Sequence, residues 1–443
     1  MNDTDSNPRE IAGRIMKAAL QAVDPAVAVK NYFATNPRIK AQIEATVGRL
    51  IVVGTGKAGT PMATAVAELF GSKIAAGQVI VKHGYQPQER GTTGPIQISA
   101  AGHPVPDRAG LEATRSLTQL LAETAANDTV LCLISGGGSA LLTLPASGIT
   151  LEDLQQATEC LLAAGATINE FNTVRKHLSA VKGGGLAQLA SPATLHTLIL
   201  SDVVADVLPI IASGPTVPDP STFTDAWAVV ERYQLQAKLP ASIVARLQVG
   251  CAGKIPDTPK PNDPIFAQVE NSIIGSNRIA AEAAVQTARQ QGLTAHLLTT
   301  FVEGEAREVG KVVAGLAKGL SRGEAGYPLP ACLVFGGETT VTLRGAGKGG
   351  RNQELALAAA IALDGWPNLF VASLGTDGTD GPTDAAGAWV DGHTVSRAYA
   401  LGLEANIYLS DNDAYNFFAA LDDLILTGPT NTNVNDLILI LAW

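Results

Sequence analysis

Short apolar runs alternate along this chain with polar turns and amphipathic stretches. An apolar run ends in a turn rich in Gly, Ser or Asp at LIVVGTGKAG, VLCLISGGGS, TLILSDVV, SIIGSNRIAA, CLVFGGETT and LFVASLGTDG. A helical pattern usually follows. After Gly59, residues Met62, Val66, Leu69 and Phe70 fall at i, i+4, i+7 and i+8, which predicts one buried helix face. The stretch NQELALAAAIAL, from Asn352 to Leu363, is apolar nearly all round, as in a helix packed between two layers. Buried strands alternating with helices predict an α/β architecture of parallel sheets covered on both faces.

A chain of 443 residues is expected to form two domains. Pro256, Pro259, Pro261 and Pro264 crowd the segment KIPDTPKPNDP, which suits neither a helix nor a central strand. The expected division is therefore an N-terminal domain over 1–250, a proline-rich connector over 251–264 and a smaller C-terminal domain over 265–443.

Composition narrows the function classes. Hydrophobic residues make up 46% and charged residues 16%, which argues for packed layers and against disorder. The balance of 31 basic against 41 acidic residues gives a net charge of −10 with no basic tract, so no nucleic-acid partner is expected. The opening MNDTDSNPRE has no apolar signal core behind it. No apolar run approaches the roughly 20 residues that span a bilayer, and LILILAW at the end reads as a buried strand. Cys132, Cys160, Cys251 and Cys332 are far apart and form no C-x-x-C pair. A cytoplasmic protein with reduced thiols and no membrane partner is expected.

The turn Gly54-Thr-Gly56-Lys57-Ala-Gly59 has G-x-G-x-x-G spacing, but it carries a lysine. A dinucleotide site wants an acidic residue about 20 positions later to hold the ribose. Nothing acidic occurs between Ser72 and Gln88, and Lys82 stands where the acid belongs. An NADP enzyme remains compatible with that. More generally the turn reads as an anion cradle, with Gly54 and Gly56 freeing N–H groups and Lys57 adding a positive charge. The bland reading of Lys57 is a solvated turn lysine.

Other signatures fail. Thr60 stands where a P-loop needs lysine, and G-x-S-x-G is absent. Ser179-Ala-Val-Lys182 and Ser410-Asp411-Asn412 match two penicillin-binding boxes, but the third is missing, so the matches read as chance. No spacing of His and Cys suggests a metal site. A hard ion such as Mg²⁺ on carboxylates and phosphates is the form a metal would take.

What remains is a set of polar turns at predicted strand ends, where α/β sheets bind ligands. Ser135-Gly136-Gly137-Gly138-Ser139 offers unhindered N–H groups and two hydroxyls. Gly349-Gly350-Arg351-Asn352 opens a helix, with Arg351 able to fork onto phosphate or carboxylate. Asn172, Arg175, Lys176 and His177 fall within six residues, Asp202 follows the strand TLIL, and Asp377, Asp380 and Asp384 lie in GTDGTDGPTD. Each has a structural reading: tight turns, Asp-Gly turn formers, or a solvated basic face. Together they suit phosphoryl transfer.

VVGTGKAG, AGHPVPD, LISGGGSALL, NTVRKHLSAVKGGGLA, LSDVVADVLPIIASGPTVPD, FGGETTVTLRGAGKGGRNQELAL and SLGTDGTDGPTDAAGA together resemble the glycerate 2-kinase family, whose C-terminal part is the MOFRL domain, here about 330–437. TGPTNTNVNDL fits as well. The resemblance implies a Rossmann-like N-terminal domain with a parallel sheet, a smaller α/β C-terminal domain and an active site in the cleft between them. It implies transfer of the ATP γ-phosphoryl group to the 2-hydroxyl of D-glycerate with Mg²⁺ or another divalent cation, and a central lysine and arginine that match Lys57 and Arg351.

The remaining roles are expectations from residue type and turn position. Gly54, Gly56, Ser135, Gly136, Gly137, Gly138 and Ser139 would bind phosphate or carboxylate, and Arg175 or Lys176 would hold the glycerate carboxylate. Asn172, Glu338 and Asn352 complete the substrate set. Asp202 or Asp377 would bind the metal or accept the hydroxyl proton. Some relatives carry the name hydroxypyruvate reductase, so an NADP-linked reductase is the alternative, and a non-catalytic sensor is the third reading. Monomer and homodimer are both compatible with the sequence.

Overall fold

The computed structural model describes residues 7–87, 91–324 and 326–443. The chain divides into two compact units. The first comprises Pro25–Ser201 and Asp206–Ile274; the second comprises the chain up to Asp24, Asp202–Ala205 and Gly275–Trp443.

The first unit holds a seven-stranded sheet. Its strands are β1 (Leu50–Thr55), β2 (Ile74–Lys82), β3 (Thr92–Thr93), β4 (Ile96–Ala101), β5 (Thr129–Ile134), β6 (Thr194–Leu200) and β7 (Val269–Gly275). They lie in the order β3-β4-β2-β1-β5-β6-β7. The β1/β2, β1/β5, β2/β4 and β5/β6 pairs are parallel, as the strand–turn–helix repeat predicts. Every residue of β1 and β5 is buried, which explains their unbroken apolar character. The helix Gly59–Phe70 buries Met62, Val66 and Phe70, while Leu69 is only partly covered.

The second unit holds β8 (Thr294–Glu305), β9 (Ala331–Thr340), β10 (Leu369–Gly375), β11 (Gly387–Asp391), β12 (Leu424–Ile425) and β13 (Asp436–Ala442), ordered β12-β11-β10-β13-β9-β8. Here the expectation of parallel sheets needs correction. Among the described residues of this sheet only β8 and β9 pair in parallel, and β13 runs antiparallel to both β9 and β10. An apolar run buried on both faces reads the same in either direction, so LILILAW carried no sign of its orientation. The helix Arg351–Leu363 packs on this sheet and is buried nearly all round, as its composition predicts.

Two boundaries also differ from the expected ones. The helix Pro8–Ala22 belongs with the C-terminal segment, where Arg9 pairs with Asp423 at 3.1 Å and Val23 accepts a hydrogen bond from Thr432 at 2.8 Å. The proline-rich stretch stays with the first unit, because Asp219 N–H donates to the Pro259 carbonyl at 2.9 Å. The crossing into the second unit comes after β7.

Candidate functional site

In the first unit, β1 and β5 are neighbouring parallel strands, so the turns that follow them meet. A Cβ at Gly54 would lie 2.6 Å from the Leu133 carbonyl, and Gly56, with φ +128°, would drive a side chain into Ser135. Glycine is needed there for close approach, not to free donors. Gly56 N–H donates to Ile80, Lys57 N–H to Gly136 and Gly59 N–H to Gly56, at 2.9–3.0 Å. Ala58 N–H donates to Ser135 Oγ at 3.0 Å. The donors expected to cradle an anion at Gly54–Gly59 are thus already engaged.

The turn after β5 is different. Gly137 has φ +83°, and the N–H groups of Gly136 and Gly137 make no hydrogen bond to the described residues. Lys57 is half-buried beside this turn and has no acidic partner among the described residues.

The far side of the same turn is built by a hydroxyl chain. Ser139 Oγ lies 2.9 Å from Ser213 Oγ, and Ser213 donates to Asn172 Oδ1 at 3.0 Å. Ala212 and Ser213 sit in the left-handed region, at φ 50° and 62°, a strained conformation of the kind that clusters at functional sites. Fully buried Lys182 donates to the carbonyls of Ser139 at 2.8 Å and Leu142 at 2.9 Å. Burial, reinforced by the Arg175 charge, pushes its pKa well below the ordinary lysine value. Ser179 bonds elsewhere, to the Leu144 carbonyl, so the apparent S-x-x-K box is not a catalytic pair.

Asn172 and Arg175 share the helix Ile168–His177. The sequence left Arg175 and Lys176 as alternatives, and the structure separates them. Lys176 is buried against Asp219 at 3.3 Å. Arg175 lies over the Phe171 ring at 4.1 Å and has no acidic partner among the described residues; burial lowers its pKa to about 10. An enclosed guanidinium without an anion is chemically able to pair with a carboxylate. His177 is structural, bonded to Thr173 and Asp257 at 2.8 Å each.

The second unit gathers a different set. Arg351 opens the helix Arg351–Leu363 and is forked by Asp436, with a third contact to Glu338 at 2.9 Å. Asp380 accepts from the N–H groups of Asn352 at 3.1 Å and Gln353 at 2.8 Å, so this helix start is filled by the protein's own carboxylate. Asn352 is buried and bonded to Asp436, Asp380 and Ser373. It positions acids and does not present itself to phosphate.

Burial raises the pKa of Asp380 to about 6. Burial also raises Asp436 and Glu338, outweighing the pull of Arg351 on each; Asp377 adds to the first effect, and Asp436 and Asp202 to the second. This is an excess of negative charge around one arginine. Among the described residues, no three His, Cys, Asp or Glu side chains gather to hold a metal alone. Asp377 accepts from Thr379 N–H at 3.1 Å, and Asp384 from Tyr415 at 2.7 Å. Asp436 and Ser213, both missed from sequence, lie 85 and 41 residues from the groups they touch.

Comparison with known proteins matches residues 11–248 to a domain described as of unknown function (DUF4147) and residues 331–436 to the MOFRL family. The chain is 43% identical to D-glycerate 2-kinase of Thermotoga maritima, over 97% of each chain. It is 40% identical to glycerate 2-kinase of Pyrococcus horikoshii, over 97% of this chain and 96% of that one. An Agrobacterium vitis relative that carries a hydroxypyruvate reductase name is 42% identical, over 99% of this chain and 95% of its own. The crystal structure of Thermotoga maritima glycerate kinase superposes with a TM-score of 0.89 at 42% identity, covering 98% of this chain and 99% of that chain. Whole-chain likeness and the motifs that line both sites lead to one conclusion: the chain belongs to the glycerate 2-kinase family.

Proposed function

We propose that this protein transfers the γ-phosphoryl group of ATP to the 2-hydroxyl of D-glycerate, giving 2-phosphoglycerate and ADP. The observation that carries this reading is Lys57, an unpaired cation held beside the free N–H groups of Gly136 and Gly137 in a chain of net charge −10. Phosphoryl transfer asks a protein for little covalent chemistry and much charge neutralisation and positioning. Lys57 stabilises charge on the moving phosphoryl group, Gly136 and Gly137 hold an oxyanion, and Arg175 holds the glycerate carboxylate. Arg351, fixed in plane by Asp436, meets phosphate with its outer edge as Nη1 gives up its contact to Glu338.

A divalent cation fits the acidic group of the second unit if nucleotide phosphates complete its shell, as is usual for Mg²⁺. Asp202 and Asp377 would hold it, and it would relieve the carboxylate repulsion that adds to the effect of burial on Glu338 and Asp436. When bound, such an ion neutralises phosphate charge. A cytoplasmic location accords with this chemistry, and no helix among the described residues is long and apolar enough to cross a membrane. The reductase alternative is not favoured, since a pyrophosphate would need the N–H groups that Gly56, Lys57, Ala58 and Gly59 already use.

Phosphorus NMR of the protein with D-glycerate, ATP and Mg²⁺ tests the reading. ADP and 2-phosphoglycerate are the expected products. Formation of the 3-phosphate would overturn the site of attack, and intact ATP would overturn the kinase assignment.

A further inference from the structure

The AGHPVPD motif supplies none of the groups assigned so far, yet it brings an imidazole to the same turn. His103 follows β4, and its ring lies against Gly137. A Cβ at Gly137 would meet His103 Cδ2 and Nε2 at 3.0 Å and Lys57 Cγ at 3.4 Å. Gly137 is therefore the shared neighbour of His103 and Lys57. Neither ring nitrogen of His103 bonds to the described residues, although the side chain is half-buried.

The surrounding charges keep that ring neutral. Burial, then Lys57 from the turn after β1, then Lys82 from the end of β2, push its pKa down to about 4. The nearby acid is already engaged: Asp107 pairs with His83 at 2.8 Å and accepts from the N–H groups of Gly102 and Gly110. The result is an imidazole with an open acceptor nitrogen, set beside the lysine that meets the phosphoryl group.

We propose that His103 is the catalytic base for the acceptor hydroxyl, which rests on the kinase reading above. The 2-oxygen of D-glycerate forms its bond to Pγ as its proton passes to a ring nitrogen of His103. The bond from Pγ to the bridging oxygen breaks, and its electron pair leaves with ADP. Arrival of the polyanion offsets Lys57 and Lys82, so the ring becomes more basic in the complex than in the free protein, where the proton has to be taken. Asp202 and Asp377 are then left to the cation.

The variant His103→Gln keeps a polar side chain that cannot take a proton. Its kcat is expected to fall about 10²- to 10⁴-fold, with KM for both substrates changed less than about threefold. The wild-type profile of log kcat against pH should show an acid limb that the variant lacks. A measurement on the wild type guards against misfolding of the variant. By NMR, the His103 ring should titrate well below an ordinary histidine when free, and move up when D-glycerate and a non-hydrolysable ATP analogue are both present. An unchanged kcat with the acid limb retained would overturn the proposal. So would a raised KM at constant kcat, a ring signal indifferent to the ligands, or transfer of the acid-limb loss to Asp202→Asn. Wild-type protein that forms no phosphoglycerate would instead overturn the kinase reading beneath it.

Discussion

Arg351 is held in a fork by Asp436: Nε donates to Oδ2 at 2.6 Å and Nη2 to Oδ1 at 2.9 Å. The carboxylate is buried, whereas the guanidinium keeps 31% of its side-chain surface exposed. One edge of the arginine is fixed by Asp436, and on the other Nη1 meets the half-buried carboxylate of Glu338 at 2.9 Å. This pairing costs part of the cation's charge but sets its plane, which suits bidentate recognition of phosphate.

Asp436→Asn should therefore be felt twice. Breaking a fully buried pair costs about 3–5 kcal/mol, and the exposed edge of Arg351 discounts this to about 2 kcal/mol. Thermal unfolding should show a midpoint lowered by several degrees, and kcat should fall as the guanidinium loses its orientation. An unchanged midpoint together with unchanged kcat would show that the fork matters to neither.

Lys57→Met should lower kcat by about 10²- to 10³-fold, the usual effect of removing one charge-stabilising donor. Because Lys57 bonds through its main chain to Gly136, the fold should stay intact, with an unfolding midpoint close to the wild type. Near-normal turnover would remove Lys57 from the catalytic set.

Arg175 and Lys176 make a matched pair of opposite expectations. Arg175→Met should raise KM for D-glycerate by about tenfold or more, from loss of a charged hydrogen bond of about 1.5–3 kcal/mol, while leaving KM for ATP alone. Lys176→Met strands buried Asp219 and should lower the unfolding midpoint instead. Reversed results, with KM following Lys176, would exchange their roles.

Asp380 gives a pH dependence with a definite sign. Its folded pKa of about 6 lies above the ordinary 3.8, so the unfolded chain releases this proton first as pH rises. The stability contributed by the neutral form is complete below about pH 4 and is lost through pH 6, on the order of 2–3 kcal/mol. Asp380→Asn removes that loss. The difference in midpoint between variant and wild type should thus shift in the variant's favour from pH 4 to pH 7. A difference independent of pH would contradict the raised value.

The fold was legible where local spacing decides it. The strand–turn–helix repeat announced the parallel sheet around β1 and β5, and the uniform apolarity of residues 352–363 announced a helix buried nearly all round. The same reasoning failed for β13, because a strand covered on both faces carries no signal of direction. It also misplaced the crossing point, since proline content does not reveal that Pro259 is tied to Asp219.

For the site, the sequence by itself determined the glycine turns, the lysine inside one of them and the arginine at the head of a buried helix. These follow from residue type and from neighbours within a turn or two. Only the tertiary structure decided which of those groups are free. Gly54–Gly59 looked like the anion cradle, yet Ile80, Gly136 and Ser135 engage its donors, while the N–H groups of Gly136 and Gly137 bond to none of the described residues. Lys176 is neutralised by Asp219 and Arg175 is not. A donor or charge is occupied by whatever acceptor the fold brings to it, and that acceptor lies tens of residues away along the chain.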